Sequence, residues 1–150
     1  NFSRPRFDLV THIFCRQAAL HKRIKVFGGE KIRALLHVRD VAKVMTDHVM
    51  TKHTGIFNLH KENMSVNDIA KRMQHFFPDT TIENVPASVQ ETANYGLVSI
   101  KARTVLGFQP ILTLDDGIKE IRGLIASHRL KNIEDLRYSN EAFLKAHPLL

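Results

Sequence analysis

Two adjacent glycines set between two apolar runs constrain this chain more than any other feature, in the stretch Lys25 to Ala42, KVFGGEKIRALLHVRDVA. Val26-Phe27 reads as a strand interrupted by Gly28-Gly29, since glycine accepts the positive φ values that a side chain disfavours. Ala34-Leu35-Leu36-His37-Val38 is a second strand candidate. Asp40 is placed as the N-cap of a helix opened by Val41-Ala42, its carboxylate accepting from the exposed N–H groups there. Arg33 stands at the entrance to the second strand, where a fixed guanidinium can hold an anion.

The remaining pattern alternates helices with short strands, which predicts an α/β fold. Leu9, Ile13, Phe14, Gln17 and Leu20 recur at helical spacing between Phe7 and Lys22, and Val41, Val44, Met45, His48 and Val49 repeat the device up to Met50. Ile56 to Leu59 reads as a strand. Ser65 followed by Asp68 has the form of a capping box, opening a helix whose buried stripe is Ile69, Met73 and Phe76-Phe77 and which Pro78-Asp79 ends. Thr80 to Val85 is another strand, and residues 86 to 98, without periodicity, read as a loop. Ser99 caps a short helix ended after Leu106 by Gly107; Thr113 with Asp116 caps a long one through His128. A last helix is expected from Asn140 to Ala146.

Composition narrows the class. At 150 residues and 43% hydrophobic content, the chain can bury one real core, which predicts one domain. No apolar run approaches the roughly 18 residues of a membrane span, and no signal peptide opens the chain. A single cysteine, Cys15, excludes an internal disulfide, suits a reducing compartment and reads as a buried small hydrophobe rather than a reactive thiol. The net charge of +7 is scattered, without the aromatic platform or recognition helix of a nucleic-acid domain. Nor are the nine histidines spaced with cysteine or carboxylate as metal ligands. His37 reads as structural, and Asp8 with His12 at i,i+4 as a local hydrogen bond.

The ordered set of motifs resembles the substrate-binding part of the extended short-chain dehydrogenase/reductases, the NAD-dependent epimerases and dehydratases of nucleotide sugars. His37-Val38 with Asp40-Val41-Ala42 is similar to that family's His-Val-x-Asp-Val-Ala. Ser3 to Leu9 looks like the entry to its following helix, and Gly55 to Leu59 like its G-x-x-(Y/F)-N-(V/L) strand. Asn94-Tyr95, Ser99, Lys101, Leu106 to Pro110 and Leu114 to Ile118 follow its closing pattern. The resemblance covers residues 3 to 127 and predicts a substrate-binding region over 1–128, with 129–150 as a C-terminal tail. Two family features are missing. Among the 7 glycines no G-x-x-G-x-x-G or G-x-G-x-x-G turn occurs to take a dinucleotide pyrophosphate, and neither tyrosine heads a Tyr-x-x-x-Lys.

The resemblance implies that Arg33 grips the diphosphate of a nucleotide sugar, where a guanidinium can bind two oxygens at once. A hairpin ion pair with Glu30 is the plainer alternative. Val26 and Phe27 would line the base pocket or form ordinary core, and Lys25 and Lys31 would add positive field or simply be solvated. His12 stands where relatives often carry asparagine and could donate to a phosphate; Tyr95 falls in the closing pattern beside the site. A second arginine clamp is not evident at Ser88 or Ala93. NAD or NADP would bind a missing N-terminal half that also supplies the catalytic tyrosine and lysine, so the isolated chain is expected to be inactive. The resemblance further implies a cytoplasmic protein. A stand-alone binding or oligomerisation module, covering its exposed apolar surface as a homodimer, is the alternative from another class, and a basic nucleic-acid binder a third.

Overall fold

The strands on either side of Gly28-Gly29 part company instead of folding back on each other. A computed structural model describes residues 4–86 and 94–148. In it β1 (Arg23–Phe27) pairs in parallel with β4 (Thr81–Val85), from Arg23 against Thr81 to Phe27 against Val85. β2 (Ile32–Leu35) pairs antiparallel with β3 (Glu62–Ser65), from Ile32 against Ser65 to Leu35 against Glu62. Gly28, at φ +58°, makes the bend between them. Parallel strands need a long crossover, and the chain between β1 and β4 contains α2 (Val38–His48) and α3 (Val66–Phe76). The α/β class read from the alternating pattern is the class observed.

Four elements build the main core. α1 (Val10–His21) contributes Phe14, Cys15 and Ala18, and β1 contributes Ile24 and Val26. α3 adds Val66, Ile69, Ala70 and Met73, while α5 (Leu114–Ala126) adds Ile118 and Ile121. Ala18 and Ala70 are wholly buried, so these helices approach closely; truncating Ile69 or Met73 to alanine there costs about 2–5 kcal/mol. A second, smaller core joins Val44, Ala102 of α4 (Ile100–Leu106) and Phe108, with Leu36, Phe57 and Leu59 against it.

Helix entries follow the sequence in part. Thr113 and Asp116 form the full reciprocal capping box of α5. Ser65 accepts from the Asp68 N–H, but its hydroxyl donates to the Asp68 carboxylate at 2.7 Å, so the return bond comes from the side chain. Ser99 precedes α4 without capping it; its hydroxyl is engaged by the His60 N–H at 2.9 Å and by His60 Nδ1 at 2.5 Å. Gly107 ends α4 at φ +60°.

Several expectations are corrected. β2 stops at Leu35, and the N-cap of α2 is His37, not Asp40: His37 Nδ1 accepts from the Arg39 N–H at 3.2 Å. Asp40 lies inside the first turn, where its Oδ2 accepts from the N–H groups of Ile111 at 3.1 Å and Leu112 at 2.9 Å. On α2 only Asp40 and Val44 are buried; Met45 and Val49, read as part of its apolar face, are exposed. Residues 56 to 59 join no ladder among the described residues; Ile56 is exposed, its carbonyl accepting from Lys101 Nζ at 3.0 Å. Asp8 does not bond His12: it takes both ends of the Arg6 guanidinium, at 3.0 and 2.9 Å. Of the expected 86–98 loop, residues 87–93, Ser88 and Ala93 with them, lie outside the described residues; 94–98 are irregular.

The final segment folds back on the beginning. A 3₁₀ turn over Leu136–Tyr138 precedes α6 (Asn140–Ala146), and Leu130, Ile133 and Tyr138 pack on the main core. The Phe7 N–H donates to the Tyr138 carbonyl at 2.7 Å, and their rings meet edge to face with centroids 5.7 Å apart.

Candidate functional site

Strand β2 carries Arg33 opposite Met64 of β3. Its guanidinium donates to the Ile32 carbonyl at 2.9 Å and lies 5.7 Å from the centroid of the Tyr95 ring, within the range of a cation–π contact. Tyr95 is held there by polar bonds to both strands of the small sheet. Asn94 Oδ1 accepts from the Ile32 N–H at 2.8 Å, and the Tyr95 N–H donates to the Ile32 carbonyl at 3.4 Å. Two residues on, the Asn63 amide exchanges hydrogen bonds with the Leu97 backbone, each 3.0 Å long. A strongly basic side chain and an exposed aromatic face are thereby brought together from positions 62 residues apart in sequence.

The other expected residues do not gather at this point. Val26 is 1% exposed and faces the main core, the ordinary-core role that the sequence left open. Phe27, on the opposite face of β1, is exposed. Because side chains alternate along a strand, Val26 and Phe27 present their side chains to opposite faces of β1. Lys25 is exposed; its backbone N–H donates to Gln17 Oε1 at 3.0 Å.

His12 belongs to a separate cleft of about 430 Å³ between the start of α1, the end of β2 and the first turns of α5. That volume falls in the range of small-molecule sites. Cys15, Ile118 and Ile121 form apolar floor, and Arg4, Arg6, His37, Lys61 and Glu120 are polar lining. His12 Nδ1 lies 3.1 Å from the Arg6 backbone nitrogen. Burial lowers the His12 pKa, partly offset by its bond to the Arg6 backbone. Glu120 receives Arg39 at 2.7 Å and lies 3.7 Å from His37 Nε2. Lys61 Nζ donates to the Pro110 carbonyl at 2.7 Å. Burial pushes the Cys15 thiol up to about 12, so the floor offers no thiolate nucleophile at neutral pH.

Arg33, Tyr95, Lys25, Val26 and Phe27 do not line this cleft. Conversely, sequence reasoning did not single out Arg4, Arg6, Lys61 or Glu120 as site residues. The only sequence signal was the Arg4-Pro5-Arg6 run, since these groups come from three distant parts of the chain. No group of three His, Cys, Asp or Glu among the described residues is placed to hold a metal ion. Neither the G-x-x-G-x-x-G nor the G-x-G-x-x-G spacing that receives a dinucleotide pyrophosphate occurs in the sequence.

No family model matches the chain. Several solved structures do. UDP-glucose 4-epimerase from Thermotoga maritima, solved with UDP-glucose, is 23% identical with a TM-score of 0.71, over 81% of this chain and 40% of that one. TunA, an NAD-dependent NDP-hexosamine 5,6-dehydratase of tunicamycin biosynthesis, is 18% identical with a TM-score of 0.71, over 81% and 41%. MoeE5, solved with UDP-glucuronic acid and NAD, is 20% identical with a TM-score of 0.69, over 81% and 43%. The chain therefore shares the fold of the matched part of these enzymes and spans about 40% of the length of these solved chains.

Proposed function

We propose that this chain is the substrate-binding part of an NAD- or NADP-dependent nucleotide-sugar epimerase or dehydratase, holding the nucleotide diphosphate while an N-terminal half, not present here, supplies the cofactor and the catalytic tyrosine and lysine. The observation that carries this reading is Arg33, fixed beside Tyr95 on a fold shared with enzymes solved with UDP-sugars. A guanidinium at a strand end can grip two phosphate oxygens together, and the exposed ring beside it offers a surface for an apolar or stacking group. Bound at its diphosphate, a sugar would be held toward the cofactor by binding energy remote from the reacting carbon. In the complete enzyme the cofactor, held by the other half, would supply hydride transfer.

The test is calorimetric titration of the natural protein with UDP-glucose. Arg33→Ala should weaken binding by about tenfold or more, the loss expected for a charge-assisted contact worth roughly 1.5–3 kcal/mol. Unchanged affinity in Arg33→Ala sinks the assignment of that residue, and no binding by the unmodified protein sinks the reading.

A second reading, a binding or oligomerisation module without catalysis, draws on the apolar side chains on α2 and just past its end. Met45, Val49 and Met50 are exposed by 66, 74 and 92%, a surface that favours a covering partner. The missing half or a second copy of the chain would both cover it. The intact mass of the natural protein separates them: about 35 kDa, the usual size of two such regions, supports the enzyme, whereas 17.2 kDa with a dimer in sedimentation supports the module.

A further inference from the structure

Residues 56 to 59 are laid out like a strand that has lost its neighbour. Ile56 and Asn58 are exposed, whereas Phe57 and Leu59 are half-buried and pack on the small core of Val44, Ala102 and Phe108. Such alternation marks an extended segment resting one face on a core. Its two edges are then distinct, because the N–H and C=O groups of successive residues in a strand point to opposite sides.

One edge is closed. The His60 N–H donates to the Ser99 hydroxyl at 2.9 Å and the Ile56 carbonyl accepts from Lys101 Nζ at 3.0 Å, so the entry of α4 covers the side of the even-numbered residues. A lysine laid on a strand edge discourages further pairing there. The other edge is open. On that side the Lys61 N–H donates to the Leu35 carbonyl at 2.8 Å, but the N–H and C=O groups of Phe57 and Leu59 meet no hydrogen-bond partner among the described residues. Backbone groups beside half-buried side chains normally find partners, and an open edge is a template for an added strand.

This chain has no strand to spare for it among the described residues, since β1 pairs with β4 and β2 with β3. The matched part is only 40, 41 and 43% of the solved epimerase, TunA and MoeE5 chains, so more than half of each lies outside it. Apolar surface is left uncovered on the same side chains' neighbours: Ile56 is exposed, as are Met45 of α2 and Val49 just past its end.

We infer that the edge formed by Phe57 and Leu59 seats a strand of the N-terminal half, making residues 56 to 59 the last strand of a sheet that runs from that half into this one. The inference rests on the reading above for the existence of that half. Because Ser99 and Lys101 close the opposite edge, the sheet ends here.

The experiment is hydrogen exchange of the natural protein, resolved at single amides by NMR and run at two protein concentrations, together with its intact mass and a titration with UDP-glucose. The amides of Phe57 and Leu59 should exchange roughly a hundredfold more slowly than those of Ile56 and Asn58, equally at both concentrations, in a protein of about 35 kDa. Burial without pairing would not alternate from one residue to the next. Equal exchange at all four amides, fast or slow, overturns the proposal; if UDP-glucose still binds, the functional reading stands. Protection that fades on dilution gives the edge to a second copy of the chain, and a natural mass of 17.2 kDa leaves no other half to supply the strand; either result overturns the proposal. Alternating protection in a 35 kDa protein that does not bind UDP-glucose upholds the strand and sinks the functional reading.

Discussion

The carboxylate of Asp40 accepts the backbone N–H of Leu112 across 72 residues of chain, at 2.9 Å, and the neighbouring Ile111 N–H at 3.1 Å. Asp40 is buried in the first turn of α2, where a negative charge also meets the positive end of the helix dipole. It ties that turn to the segment leading into α5, next to the cleft lining at Leu112 and Thr113. Asp40→Ala leaves two N–H groups without their acceptor and should cost about 2–4 kcal/mol, read as a lowered urea midpoint. Asp40→Asn, which keeps one acceptor oxygen, should lose clearly less; equal losses would show that the two bonds matter little.

His12 sets a pH dependence. Burial holds its folded-state pKa below the ordinary value of 6.5, so the unfolded chain takes up a proton at higher pH than the folded chain does. Its contribution to stability is complete above the unfolded value and is lost as pH falls below it toward the folded value. The facing charges are Asp8, which raises the pKa, and Arg6, which lowers it further. Urea midpoints measured from about pH 7.5 to about pH 5.5 should therefore fall, and His12→Gln should flatten that slope. An undiminished slope in the variant would place the titrating group elsewhere.

Gly29 owes its identity to a close approach rather than to φ. A Cβ there would clash with the Asn67 side-chain amide, which is tied to Glu30 at 2.9 Å, while the Asn67 N–H bonds the Gly29 carbonyl at 2.8 Å. Gly29→Ala should destabilise by about 1–3 kcal/mol, the cost of overpacking. Adding Asn67→Gly should recover part of the loss, giving a coupling that a thermodynamic cycle would detect. Additive losses would place the strain somewhere other than this contact.

Cys15 should be inert in the folded protein. It is buried beside Met73, with the sulfurs 3.6 Å apart, and burial pushes its thiol to about 12. A disulfide reagent at neutral pH should label it only at the rate of unfolding, and fully in denaturant. Rapid labelling of the native protein would mean that the cleft floor opens.

The local parts of this molecule were legible in its sequence because their causes are local. Thr113 with Asp116, Gly107 after Leu106, and the apolar spacing of Ile69 and Met73 each act within a turn or two of helix, so residue type and spacing suffice. The same holds for the alternation of strands and helices and for Cys15 as core. Pairings were decided by packing. Gly28-Gly29 permits a bend, but only the core decided that β1 joins β4 and β2 joins β3. Asp40 could cap a helix or cross to Leu112, and the tertiary approach of residues 111–112 chose the latter. Residues 56 to 59 carry strand-forming side chains, but a strand also needs a hydrogen-bonding neighbour, and none of the described residues provides one. Arg33 was visible as an isolated charge and Tyr95 through the family resemblance, whereas their approach to each other and the separate cleft lining of Arg4 and Arg6 were not. Those arrangements join residues far apart in the chain, and burial of one shared core, rather than any short-range rule, fixes the distances between them.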